Sequence, residues 1–367
     1  MLIINNKIVE ELLDMQTCID VQEDAFRGLA TRSSVMRPRI DVYVPCDFED
    51  SYYRWGSTEG ACNGFFATRI KSDIMSWPRN DAGEITNQNK FCVEPGTYCG
   101  LVYLFSSGDG SPLAIINDGI LQHMRVGGGA AIGAKYLSRE NAETIGMIGS
   151  GGMARTYLQA IKCVRDIKKV KVFSRDRKNR EEYADAMHKE TGVELIPVTS
   201  AEEAMNGADI VCSCTDSMVP TFDPGWLEPG MFVVNVNDFE IGQEHLRCFD
   251  IAIRQGDEKI KMEDGNGFLN SVGGGTGGYV AGSDEQLASV PFAEDTDIAH
   301  QALPTFADLV SGAVAGRSSD KEITYYENQG NNGLQFASCG GAVYTKCKQK
   351  GLGIEIPTEW FLEDIRN

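Results

Sequence analysis

The chain has 367 residues, with 53 Asp and Glu against 34 Lys and Arg, a formal net charge of −19 and 42% hydrophobic residues. This is a globular composition of two-domain length, neither disordered nor membrane-spanning. So negative a chain repels phosphate backbones and anionic lipid heads, which argues against nucleic-acid and membrane partners.

Over residues 10–29, Met15, Cys18, Ile19, Phe26 and Leu29 fall at helical spacing with charges between them, predicting an amphipathic opening helix. Residues 39–44 alternate, with Arg39, Asp41 and Tyr43 on one face and Ile40, Val42 and Val44 on the other. A second strand is predicted over 65–74, where Arg69 and Lys71 share a face and project into the same space. The runs 98–105 and 113–117, joined by a turn at Asp109-Gly110, read as a hairpin. The first part of the chain is therefore expected to be a mainly antiparallel sheet with one helix.

The pattern then changes. An Ala/Gly-rich helix is predicted over 121–137, followed by a strand at 144–148, the turn Gly149-Ser150-Gly151-Gly152-Met153-Ala154 and a further helix. Strands at 170–173, 193–198, 210–214 and 231–236 alternate with helices at 180–191 and 201–205, the mark of a parallel α/β domain. Regularity fails from 258 to 302, a segment that includes Gly273-Gly274-Gly275-Thr276-Gly277-Gly278 and reads either as a surface insertion or as an active-site lid. A helix at 306–314, a strand at 323–326, a helix at 334–350 and a tail at 356–362 are expected to return to the first domain.

No window approaches ~20 uninterrupted apolar residues, and the opening Met1-Leu2-Ile3-Ile4 is too short and too poor in cations for a signal peptide. The 11 cysteines are scattered singly, as at Cys18, Cys46, Cys163, Cys248 and Cys339, and read as cytosolic thiols. Cys212 and Cys214 face one way from an apolar strand and read as small core residues. His123, His188, His245 and His300 show no metal-ligand spacing, and there is no G-x-S-x-G nucleophile elbow, so no metal is expected.

The turn from Gly149 to Ala154 fits G-x-G-x-x-G/A, in which glycines let the backbone approach a pyrophosphate and the next helix offers its unpaired N–H groups. Its setting, strand, turn, helix and a further strand in order, makes it a dinucleotide-binding turn: Gly149, Ser150, Gly151, Gly152, Met153 and Ala154. The second strand ends at Ser174-Arg175-Asp176, a hydroxyl and an arginine where an NAD site puts an acid first. Ser174 and Arg175 suit a 2′-phosphate, so NADP(H) is favoured and NAD(H) remains possible, with Asp176 the residue that keeps it so. Arg177 and Lys178 read as a solvated helix start.

With that turn in the middle of the chain, the sequence resembles the ornithine cyclodeaminase/mu-crystallin family. The resemblance is carried by Leu13-Asp14-Met15 with Glu23-Asp24-Ala25-Phe26, Arg125-Val126-Gly127, Ala208-Asp209-Ile210-Val211 with Thr215, Trp226-Leu227-Glu228-Pro229-Gly230, Gly333-Leu334-Gln335-Phe336 and Pro357-Thr358-Glu359-Trp360-Phe361. It implies an α/β fold: a Rossmann dinucleotide-binding domain over 123–314, carrying the Gly-rich insertion, and a mainly antiparallel α+β substrate-binding and dimerisation domain over 1–122 and 315–367. It also implies a homodimer and a small amino-acid or imino-acid substrate. By position in that family Arg39 and Arg125 match the arginines that hold the substrate carboxylate, Arg37 being an alternative to Arg39 on the same face. Thr215 and Asn235, at the ends of their strands, join the cofactor set.

The chain departs from the family at the strand lysine, where Arg69 aligns and Lys71 lies one pleat further on. Either cation can polarise a carboxylate, but only a lysine with a lowered pKa can donate a proton. The family's catalytic aspartate falls by counting on Glu240, with Asp238 two residues earlier. The expectation is an NADP(H)-dependent reductase of an imino acid, with Lys71, Glu240 or Asp238 managing the proton. Ornithine cyclodeaminase, and a non-catalytic crystallin-like NADPH or small-ligand binder, are the alternatives.

Overall fold

A computed structural model describes residues 1–85, 88–257, 267–269, 272, 277–288, 290–291 and 298–365, without the side chains of Asp238 and Ile298. The chain opens with β1 (Leu2–Ile4), α1 (Asn6–Leu12) and α2 (Met15–Thr31). The single predicted opening helix is thus two helices. Asp14 breaks it, capping α2 by accepting a hydrogen bond from the Thr17 N–H at 2.8 Å. Next come β2 (Val35–Pro45), β3 (Ser51–Cys62), β4 (Phe65–Ser76), β5 (Asn89–Phe91), β6 (Cys99–Ser106) and β7 (Pro112–Asn117). The 98–117 hairpin forms as predicted, and β3, to which no strand was assigned from sequence, pairs antiparallel with both β2 and β4.

Helix α3 (Gly119–Leu137) joins this sheet to the parallel one. Its buried Gly127, Gly128, Gly129, Ala130, Ala131 and Ala134 bring its backbone close to α2 and to α4 (Gly152–Ile161). The second sheet is built by β8 (Thr144–Ile148), β9 (Lys169–Phe173), α5 (Arg177–Thr191), β10 (Glu194–Pro197), α6 (Ala201–Met205), β11 (Ile210–Ser213) and β12 (Phe232–Val234). After α7 (Gln243–Leu246) it gains β13 (Ile251–Arg254). Its strands are short apolar runs buried on both faces, such as Ile210-Val211-Cys212-Ser213, as a covered parallel sheet requires.

The remainder is β14 (Phe268–Leu269), β15 (Gly278–Val280), α8 (Asp284–Leu287), α9 (Ile298–Gln301), α10 (Phe306–Ser311), β16 (Thr324–Glu327), α11 (Asn332–Lys350) and β17 (Ile354–Glu355). Among the described residues the first sheet runs β14-β15-β2-β3-β4-β6-β7-β1-β17, and the second β10-β9-β8-β11-β12-β16-β13. Two expectations change. The strand predicted at 323–326 was to return to the first domain, but β16 sits inside the parallel sheet between β12 and β13, buried throughout, and the return begins only with α11. Part of the 258–302 segment, assigned to the Rossmann half, instead extends the first sheet: β15 pairs parallel with β2. The rest of that segment, including Gly273 to Thr276, lies outside the described residues. No helix among them is long and apolar enough to cross a membrane.

Candidate active site

The two sheets face each other across a cleft of about 940 Å³. One wall is a patch of β2, β3 and β4 whose register brings three rows together. Tyr43 pairs with Arg54 and Arg54 with Asp73; Asp41 pairs with Gly56 and Gly56 with Lys71; Thr58 pairs with Arg69. Because side chains alternate, Arg39, Asp41 and Tyr43 all point to this face, while Val42 and Val44 point outward and stay exposed. Gly56 makes the patch possible: a Cβ there would lie 2.7 Å from Arg39 Nη2 and collide with Asp41.

Arg39 donates from Nε to Asp41 at 2.6 Å, and its buried Nη2 has no partner. Arg54 is ion-paired with Asp73, and its buried Nε is likewise without a partner. Arg69 is held by Asp118 at 2.6 and 2.7 Å. Lys71 lies 3.6 Å from Asp73 and over the Tyr98 ring. Burial, joined by the like charges of Lys90, Arg69 and Arg54, pushes its ammonium down to about 7 against the pull of Asp73. From α3, Arg125 reaches the Asn332 and Gln335 side-chain oxygens at 2.7 and 2.6 Å and Gln122 at 2.9 Å, with its guanidinium over Phe336.

The other wall is the turn between β8 and α4. Gly149 has φ +110°, and a Cβ there would run into the Cys214 carbonyl, so only glycine serves. A Cβ at Gly151 would meet nothing, leaving the head of α4 open. This cradle fits a dinucleotide pyrophosphate. Gly149, Ser150, Gly151, Gly152, Met153, Ser174, Arg175 and Thr215 all line the cleft, as do Arg39, Arg69, Lys71 and Arg125. Ser150 donates to Ser174 at 3.1 Å, tying the turn to the end of β9. The Asp176 carboxylate accepts from the Asn179 N–H at 2.8 Å and caps α5, so it is engaged with its own helix. The helix predicted from 180 therefore starts at Arg177.

Three expected site residues do not line the cleft. Ala154 is buried beneath the turn, where its carbonyl accepts from the Tyr183 hydroxyl at 3.0 Å. Asn235 is buried, and its side chain bonds to the backbone of Asn237 and Asn328. Glu240 is fully buried. Its Oε1 accepts from Ser213 Oγ, Thr215 Oγ1 and Thr215 N at 2.6–2.8 Å, and its Oε2 from the N–H groups of Val236 and Asn237 at 2.9 Å. It staples the ends of β11 and β12 instead of facing a substrate. Burial raises its pKa, while the hydrogen bonds from Thr215, Val236 and Ser213 pull it back. Glu240→Gln is accordingly expected to lower unfolding free energy by about 1–3 kcal/mol, because an amide NH₂ would face donors. Urea unfolding reads that loss, with kcat of the folded enzyme changing by less than tenfold. The Asp238 side chain lies outside the described residues. Arg54 and Lys90 were not found from sequence; Arg54 shares a face with Tyr52, Gly56 and Thr58 at period two, the one signal that could have revealed it.

A glycine turn on a parallel sheet, facing a cation-bearing antiparallel wall, defines a dinucleotide-binding protein of two interlocked halves. The chain belongs to the ornithine cyclodeaminase/mu-crystallin family, whose model matches residues 85–350. It is 28% identical over 260 residues to a Delta(1)-pyrroline-2-carboxylate reductase of Bacillus thuringiensis, covering 71% of this chain and 74% of the relative. Its fold is similar to that of Thermococcus litoralis Delta(1)-pyrroline-2-carboxylate reductase in complex with NADH and L-proline, with TM-score 0.73 and 22% identity over 97% of this chain and 100% of the other. An archaeal alanine dehydrogenase dimer with bound NAD is similar too, with TM-score 0.72 and 22% identity over 97% and 99%.

Proposed function

We propose that the protein is an NADP(H)-dependent reductase of imino acids, acting on a cyclic ketimine or on an imine formed from a 2-oxo acid and an amine. The observation that carries this reading is that the unpartnered Arg39 Nη2 and the lowered Lys71 ammonium line the same cleft as the glycine turn. When bound, the reduced dinucleotide supplies the hydride. Arg39 and Arg125 grip the substrate carboxylate and hold the imine carbon toward the turn, and their forked geometry fixes orientation as well as affinity. Lys71, in its cationic form, gives a proton to the imine nitrogen. The relatives' names, reductases of a cyclic imino acid, support the same assignment.

The test is NADPH oxidation, followed by absorbance, with pyrroline- and piperideine-2-carboxylate, with pyruvate plus ammonia or methylamine, and with ornithine. Net consumption with the imines is expected. Conversion of ornithine to proline with no net change in absorbance would instead identify a cyclodeaminase.

The preference for NADPH rests on Ser174 and Arg175 at the end of β9; Asp176 lines the cleft beside them, with one carboxylate oxygen engaged in capping α5. Ser174→Asp places a negative charge against a 2′-phosphate, and is expected to cut the NADPH-over-NADH ratio of kcat/KM by about 10–100-fold, or about 1.4–2.8 kcal/mol. An unchanged ratio would refute the assignment. The exposed Val42 and Val44 on the outer face of β2 support a homodimer, which light scattering measures. Eleven free thiols support a cytoplasmic location.

A further inference from the structure

Period two puts Arg37 and Arg39 on one face of β2, yet the two side chains go to opposite faces. In the pairing of β2 with β3, Arg37 stands opposite Glu59 and Ile40 opposite Ser57, so Pro38 and Arg39 together face Thr58. Two residues against one make a β-bulge, which bends the strand and re-aims its side chains. Arg37 turns to the face of Ser57 and Glu59, donating to Ser57 Oγ at 2.9 Å and pairing with the Glu59 carboxylate. Arg39 turns the other way, over Gly56 and into the cleft.

The bulge sets Thr58 beside that guanidinium. Residues two apart on a strand share a face, so Thr58 follows Arg54 and Gly56 on the cleft side of β3, about 7 Å along from Gly56. It is 3% exposed and lines the cleft, and its buried Oγ1 has no hydrogen-bond partner. A buried hydroxyl left in that condition costs stability that a valine of the same shape would not. The neighbouring hollow at Gly56 holds Arg39, whose Nη2 is buried and unpartnered as well. A ligand that answers Nη2 must bring an acceptor there, which a protonated imine nitrogen is not. A carboxylate offers two oxygens and about four lone-pair sites, enough for a guanidinium N–H and a hydroxyl together.

We propose, resting on the reductase reading above, that Thr58 is a further substrate-binding residue: its hydroxyl donates to the carboxylate that Arg39 grips, and the bulge at Pro38 and Arg39 brings the two donors to one anion. Thr58→Val removes the hydroxyl and keeps the shape. With NADPH and pyrroline-2-carboxylate its KM is expected to rise about tenfold or more while kcat stays within about threefold, the mark of binding shared by ground and transition states. Thr58→Ser is expected to bring KM back to within about threefold of the parent. Without ligand, the valine variant is expected to unfold at the parent's temperature or above it, because the hydroxyl it lacks has no partner in the protein. Thr58→Ala is expected to raise KM in the same way, so the comparison does not depend on the valine variant folding. A KM within twofold of the parent in both Thr58→Val and Thr58→Ala overturns the inference, as does a Thr58→Ser KM as high as theirs. Calorimetric binding of L-proline to the NADPH complex reads the hydroxyl without turnover, and Thr58→Val is expected to weaken it about tenfold or more. Affinity equal to the parent's overturns the inference and leaves the reductase reading standing. Weakened L-proline binding in the variant, with no imine reduced by the parent, supports the role of Thr58 and defeats the reductase reading instead.

Discussion

Replacing Arg39 by glutamine is expected to lower kcat/KM for the imino acid about 100- to 1,000-fold, a loss of about 3–4 kcal/mol, most of it in KM. The guanidinium combines a fixed anchor, Nε on Asp41, with an unpartnered nitrogen over the hollow left by Gly56. A glutamine cannot present the charged fork, and the carboxylate would bind through neutral contacts alone. Asp41, 1% exposed, keeps the Tyr43 hydroxyl at 3.3 Å but loses the Arg39 guanidinium in that variant. Arg39→Lys separates the two effects, because lysine can still pair with Asp41 while offering no fork. It should fold like the parent yet lose about 10- to 100-fold in kcat/KM. A glutamine variant with unaltered KM would remove Arg39 from the binding site.

The second large effect belongs to Lys71. An ammonium with its pKa pushed down to about 7 is protonated below that pH. Imine reduction consumes a proton, so kcat/KM for reduction should fall as pH rises through about 7, and the reverse oxidation should gain over the same range. A carboxylate seated beside the ammonium favours its charged form, so the corresponding limb in kcat should lie at higher pH than the limb in kcat/KM. Lys71→Met is expected to lower kcat about 100- to 10,000-fold and to flatten that limb. Lys71→Arg keeps the charge but cannot release the proton, and should recover substrate binding without recovering kcat. A Lys71→Met profile that still falls above pH 7 would assign the proton elsewhere.

Much of this site is legible in the sequence where local geometry decides it. The glycine turn, the alternation that puts Arg39 and Asp41 on one face, and the shared face of Arg69 and Lys71 all follow from period two or from the φ that only glycine tolerates. What a count along the chain cannot supply is direction. Glu240 falls at the position counted for a catalytic acid, yet five donors at the ends of β11 and β12 turn it inward. Asn235 is turned inward in the same way by Asn328 and Asn237. Strand β3 escaped notice because Gly56, Ser57, Thr58 and Gly60 dilute its apolar signal, although its buried face is continuous with its neighbours. β16 was assigned to the wrong half because its order in the chain says nothing of the gap it fills between β12 and β13.

That gap has a consequence for how the molecule is made. On the ribosome, β12 and β13 emerge while the strand that belongs between them, Thr324–Glu327, is still to be translated. The chain between β13 and that strand includes β14 and β15, which belong to the other sheet. Two parallel edges therefore lack their partner strand until residue 324 has been made, a state that invites pairing with other chains. A product terminated before residue 324 would lack the fully buried Tyr325 and Tyr326 and leave both edges permanently open. A nucleotide-binding half complete in its sheet therefore extends at least to Glu327.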